Sequence, residues 1–297
     1  MDTPDKSGAS QPRRRPAPES GGEFVDYAPG EGIFHKGASA HHLSIILEGE
    51  VEIFEPDDGR AIAVLGKGAC FGEQAILAGG VRNASARAAS AVSCLEIGTV
   101  PLRALLEADP GLLMQAIEAL LLQLCMANHL SRYVSLPQEQ PVFEVVSQGA
   151  ITTIQGQRKL AQAYSRSDSV SHGLSSEELM FLKLQASHRL SSGFFDAGQR
   201  LTTPSADHIG SAFVIVKGTV EAVSKERRYR LGVGSVLGLA EGLSNTPFSW
   251  APSAATHVTV LVLPIARILR GIGSANPGIK GIVRYTSARI IELQKTF

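Results

Sequence analysis

The sequence predicts a mainly β protein with helices (α+β), built as two tandem jelly-roll β-barrels, each followed by helices. Three observations predict it. Short apolar runs alternate with glycine-bearing turns from Phe24 to Ile97. The hydrophobic period then switches to a helical one after Val100. The whole pattern returns about 166 residues later.

Residues 1–22 are rich in Pro, Ser, Gly and charge and read as a disordered tail. A first domain is expected over 23–134. Its strands are read at Ser44-Ile45-Ile46-Leu47, Val51-Glu52-Ile53-Phe54, Ala61-Ile62-Ala63-Val64-Leu65 and Val92-Ser93-Cys94-Leu95-Glu96-Ile97. The turn Pro56-Asp57-Asp58-Gly59 carries the Asp-Gly pair favoured in tight hairpins. Leu113, Ile117, Leu120, Leu121, Leu124 and Asn128 then recur at i, i+3 or i+4, which predicts a long amphipathic helix. A mostly helical connector is expected over 135–190, where Ser175-Ser176-Glu177-Glu178 has the capping-box pattern. Strands resume in a second domain, 191–297, and a helix from about Gly278 to Leu293 closes it.

Composition bounds the class. An apolar content of 44% with 19% charged residues is that of an ordinary globular protein. Lys plus Arg equals Asp plus Glu at 28 each, so no global field draws the chain to nucleic acid or to an anionic membrane. Cys70, Cys94 and Cys125 have no metal or disulfide spacing, which suits reduced thiols in the cytoplasm. The N-terminus lacks the apolar core of a signal peptide. Gln115, Glu118 and Gln123 interrupt the longest apolar stretch, which argues against a membrane span.

The repeat is an ordered series. At one offset of 166, Leu65-Gly66-Lys67-Gly68 meets Leu231-Gly232-Val233-Gly234, Gly72 meets Gly238, and Val92-Ser93-Cys94-Leu95 meets Val258-Thr259-Val260-Leu261. Glu48-Gly49-Glu50-Val51-Glu52 meets Lys217-Gly218-Thr219-Val220-Glu221 at 169, and Gly30 meets Gly198. Glycines recurring at turns between apolar runs are a physical pattern, because such turns need a positive φ or a close approach.

The first copy holds Phe71-Gly72-Glu73-Gln74-Ala75-Ile76-Leu77 and, behind it, Arg82-Asn83-Ala84-Ser85. With Tyr27 to Phe34 and Ile45 to Val51, this stretch resembles the cyclic-nucleotide-binding domain of catabolite-activator-type regulators and kinase regulatory subunits. The resemblance covers residues 24–133 well and 195–295 weakly. It implies a ligand, cAMP or cGMP, held by Phe71, Gly72, Glu73, Gln74, Ala75, Arg82, Asn83, Ala84 and Ser85, with cAMP favoured and no other cofactor. Gly72 allows close approach of the backbone, and the N–H groups of Gln74 and Ala75 open a short helix that favours an anion. Arg82 offers a planar fork to phosphate oxygens. The family position of Glu73 accepts the ribose 2′-hydroxyl proton, and Ser85 adds a hydroxyl. Asn83 stands where relatives often have Ala, Ser or Thr, and it leaves the base unassigned. Asn128 and His129, near the end of the long helix, stand where base contacts can arise.

In the second copy the offset puts Leu239 at the Glu73 position and Phe248 at the Arg82 position, which predicts a silent barrel. His41-His42 are placed at a strand start and no metal site is expected. Arg13-Arg14-Arg15-Pro16-Ala17 faintly resembles the inhibitory segment of kinase regulatory subunits, but Pro16 favours a solvated basic tail. No catalytic constellation, hence no enzyme, and no helix-turn-helix domain is expected. The function implied is a cytosolic cyclic-nucleotide sensor acting on an unidentified protein partner, with a homodimer through the helix after the first barrel and neither nucleic acid nor membrane as partner. The alternatives are a scaffolding module with non-binding barrels, and a transcription regulator without the usual DNA-binding domain.

Overall fold

The computed structural model describes residues 12–17, 22–57, 59–78, 81–98, 112–131, 133, 140–145, 176–201, 210–224, 227–248, 250–275 and 277–296. The chain divides into two compact units, Met1–Gly72 with Val81–Pro101 and Glu73–Gly80 with Leu102–Phe297. The expected boundary near residue 134 is thus corrected. The helix assigned to the first domain belongs to the second unit, and so does the short helix of the binding loop.

The first unit is a two-sheet barrel. One sheet has the order β1-β2-β9-β4-β7, from Arg13–Ala17, Gly22–Tyr27, Val92–Gly98, His42–Glu48 and Cys70–Phe71. The other has the order β3-β8-β5-β6, from Gly32–Phe34, Ser85–Ala88, Val51–Phe54 and Ala61–Leu65. Inward residues at alternate positions close a core around Val25, Tyr27, Ile46, Val51, Phe71, Val92 and Cys94. The reading of residues 1–22 as a disordered tail is wrong where the structure describes it. Arg13–Ala17 is β1, antiparallel to β2 with Arg13 opposite Asp26. Ion pairs with distant residues hold this charged strand: Arg15 Nη2 lies 3.1 Å from Asp26, and Arg14 Nη1 lies 2.9 Å from both Glu23 and Glu96.

The second unit holds a second barrel with sheets β10-β14-β13-β16 and β11-β17-β12-β15. In chain order these are Val142–Phe143, Ser191–Phe195, Ser211–Lys217, Val220–Ser224, Arg227–Leu231, Val236–Leu237, Ala251–Ala254 and Val258–Pro264 for β10 to β17. The repeat extends to the strands. β6, β8 and β9 begin 166 residues before β14, β16 and β17, and β4 and β5 begin 169 before β12 and β13. The paired glycines share their backbone state, with φ of 83° and 88° at Gly49 and Gly218 and of 78° and 79° at Gly72 and Gly238.

Six helices complete the described part of this unit: α1 (Glu73–Ala78), α2 (Leu113–Ser131), α3 (Ser176–Gln185), α4 (Leu239–Ser244), α5 (Ile265–Ser274) and α6 (Pro277–Gln294). α3 starts where the capping box predicts, while most of the expected helical connector lies outside the described residues. α2 is buried nearly all round rather than amphipathic, because α3, α4 and α6 pack against it. Its length and composition would suffice to cross a membrane, but most of it is buried inside the protein. The face expected to form a homodimer is therefore already covered by the chain's own helices.

The polar residues of α2 are buried as well. Gln123 Nε2 donates to Glu241 Oε2 at 2.9 Å, and its Oε1 accepts the Ala240 N–H at 2.9 Å. Burial pushes the Glu118 carboxyl up to about 7, with Lys183 opposing the shift. A carboxyl raised above its unfolded value of 4.5 contributes stability below that value, and the contribution is lost as pH rises toward 7. Glu118→Gln is therefore expected to flatten the stability profile between these limits. It should gain up to about 3 kcal/mol over the parent above pH 7, as urea unfolding at a series of pH values would show.

Candidate functional site

Arg82 is the centre of the site in the first barrel. It lies between the end of the loop and β8, and the main chain fixes it: its N–H donates to Ala38 O, and its carbonyl accepts from the Gly37 N–H. The side chain is buried. Nη1 donates to Gly72 O at 2.8 Å, Nη2 donates to His42 O at 2.6 Å, and the guanidinium carbon stands 4.0 Å over the Phe34 ring. Phe34 in turn meets Phe71 at 5.8 Å between ring centroids. Two carbonyl dipoles and an aromatic face thus orient a charge away from bulk water, where it is strongest toward an anion.

Gly72 is required twice over. Its φ of 78° lies in the left-handed region, and a Cβ there would come 2.3 Å from Arg82 Nη1. Gly72→Ala is expected to push the guanidinium off Gly72 O and to weaken anion binding, by calorimetry, while the melting temperature falls only modestly. A comparable binding loss in a variant of exposed Gly30 would show that general loosening, not the Arg82 seat, is responsible.

The other predicted residues divide between the two units. Phe71 ends β7 in the first barrel's core, Asn83 is exposed, Ala84 is buried, and Ser85 opens β8. Ser85 Oγ accepts the Lys36 N–H at 3.0 Å, which leaves its own proton for a further partner. Glu73, Gln74 and Ala75 form the first turn of α1, in the second unit, where α1 packs against α3. Ala75 and Glu73 are buried, and the Glu73 charge acts on Arg289 of α6 and Cys125 of α2. For Gln74 only the helical backbone is described.

Asn128 and His129 end α2. His129 Nε2 lies 2.9 Å from Val142 O, and its ring meets Tyr133 and Phe143 at 5.5 Å each. The structure thus places His129 against β10. His42 begins β4, as expected, but its role as the carbonyl anchor of Arg82 left no mark in the sequence. Phe34 was missed too, because its contact with Arg82 spans 48 residues. Among the described residues no group of three His, Cys, Asp or Glu could hold a metal.

The second copy shows what replaces the site. Leu239 opens α4 as Glu73 opens α1, and Phe248 stands for Arg82; both are buried. Trp250 and Tyr229, at the positions of Ala84 and Ala63, are fully buried and stacked with centroids 5.2 Å apart. Each of these large rings stands where the first barrel has an alanine. The Ala240 N–H, which corresponds to that of Gln74, is capped by Gln123.

Residues 24–109 match the family model of the cyclic nucleotide-binding domain. No curated protein matches the chain. Among solved structures, the regulatory subunit of a cAMP-independent protein kinase A from Trypanosoma brucei is similar over 92% of this chain and 82% of its own, at 17% identity and a TM-score of 0.34. The regulatory subunit from Trypanosoma cruzi, bound to guanosine, is similar over 88% and 76% at 16% identity and a TM-score of 0.35. A cyclic nucleotide-binding-like protein from Brucella abortus is similar over 29% of this chain and 77% of its own, at 32% identity and a TM-score of 0.27. Over the residues matched, 24–109, the chain carries a cyclic nucleotide-binding domain.

Proposed function

We propose that the chain is a cytosolic cyclic-nucleotide sensor that binds one nucleotide, cAMP in the first instance, through the first barrel and signals to a protein partner. The observation that carries this reading is the Arg82 guanidinium, buried and held by Gly72 O, His42 O and Phe34. A charge held in place by the fold lowers the ordering cost of binding. The second barrel serves as a structural and signalling partner and binds no nucleotide, since Leu239 and Phe248 offer neither an acceptor nor a charge. A ligand at 100 times its dissociation constant adds about 2.7 kcal/mol to the state that binds it. The test is calorimetry of the full chain with cAMP, cGMP and cyclic dinucleotides. One ligand per chain supports the reading, two per chain removes the silent second barrel, and no binding to any of them leaves the scaffolding reading.

A further inference from the structure

At one end of the first barrel's core sits a polar cluster that the second barrel does not repeat. Glu96 on β9 is only 3% exposed. Arg14 Nη1 reaches its Oε2 at 2.9 Å, the Tyr27 hydroxyl donates to its Oε1, and His42 Nε2 stands 3.3 Å from Oε1, an ion-pair distance without hydrogen-bond alignment. Strand register identifies the counterparts. Tyr27 opposite Val92 corresponds to Phe195 opposite Val258, and Ser44 opposite Glu96 corresponds to Phe213 opposite Val262. There the same places hold an apolar set, with Phe195 and Phe213 edge to face at 5.6 Å. Among the described residues that barrel also has no strand outside β11, whereas the first barrel has β1 outside β2. The buried carboxylate and the strand that brings its arginine therefore occur together.

A buried carboxylate left without its cation is costly and draws any neighbouring positive charge toward itself. The nearest alternatives are the His42 imidazole and, beyond it, Arg82, whose guanidinium is bonded to the His42 carbonyl. We propose that Arg14 of the N-terminal strand is a positioning residue for Arg82: by neutralising Glu96 it keeps His42 and the Arg82 guanidinium seated for an anionic ligand. This rests on the functional reading above. The charged and titratable groups facing His42 are Glu96, Arg82, Arg14 and His41. Burial holds its pKa below the ordinary value, Glu96 opposes that, and Arg82, Arg14 and His41 add to it.

The experiment compares the full chain with its Arg14→Gln, Arg14→Lys and Arg14→Gln/Glu96→Gln variants. Calorimetry with cAMP is paired with NMR titration of the His42 imidazole in the ligand-free protein. Arg14→Gln should weaken cAMP by about tenfold or more, as for a buried carboxylate robbed of its partner. Arg14→Lys should retain part of the affinity. The double variant should recover most of it, because the stranded charge has gone; a purely structural role for Arg14 would instead move the melting temperature and leave the affinity of the folded protein unchanged. The His42 titration should move upward in Arg14→Gln and return in the double variant. Unchanged affinity in Arg14→Gln, or a loss that Glu96→Gln leaves in place, overturns the proposal. If the parent binds no cyclic nucleotide, the functional reading fails. The His42 titration then decides the inference alone, and an unmoved imidazole overturns it.

Discussion

Arg82→Ala is expected to abolish nucleotide binding at ordinary ligand concentrations, a loss of about 2–5 kcal/mol, or roughly 30-fold to a few thousandfold in Kd. The size follows from burial. A solvent-exposed arginine would contribute little through screened charge, but this guanidinium is 3% exposed and held by two carbonyls over an aromatic ring. Arg82→Lys separates charge from shape. An ammonium keeps the charge but cannot reach Gly72 O, His42 O and a phosphate in one plane, so most of the loss should persist. Circular dichroism and melting curves of both variants check that the barrel is intact. Because Arg82 also ties the loop to β4 through His42 O, a small fall in melting temperature is expected in each.

Gln123→Leu should cause the largest stability loss, about 3–5 kcal/mol by urea unfolding. The glutamine is fully buried on α2, and both ends of its amide are engaged with α4. Leucine fills the volume but strands the Ala240 N–H and removes the donor on buried Glu241. Glu241 already has its carboxyl pushed upward by burial, so its neutral form should take over in the variant. A double change of Gln123→Leu with Glu241→Leu should recover part of the loss, since the carboxyl is then absent while Ala240 N–H stays unmet.

The barrels were legible in the sequence because their turns use glycine where the backbone demands it. Gly30, Gly49, Gly68 and Gly72 have positive φ, as do Gly198, Gly218, Gly234 and Gly238, and no side chain competes to blur that signal. Arg82 was singled out through the family resemblance carried by the run from Phe71 to Ser85. What stayed hidden depends on partners remote in the chain. Arg13–Ala17 is a poor strand by composition and exists because Glu23, Asp26 and Glu96 receive its arginines. Gln123 and Glu118 stand in the sequence only as interruptions of an apolar stretch, yet both are buried, and the Glu241 that meets Gln123 is 118 positions away. A periodicity argument weighs a residue by its own polarity, so buried polar pairs defeat it.

The second barrel resists conversion one residue at a time. An arginine placed at Phe248 alone would bury a cation, and a carboxylate placed at Leu239 alone would bury an anion in a unit that already buries Glu241. Each change by itself is expected to lower stability, so the two copies are not interchangeable position by position.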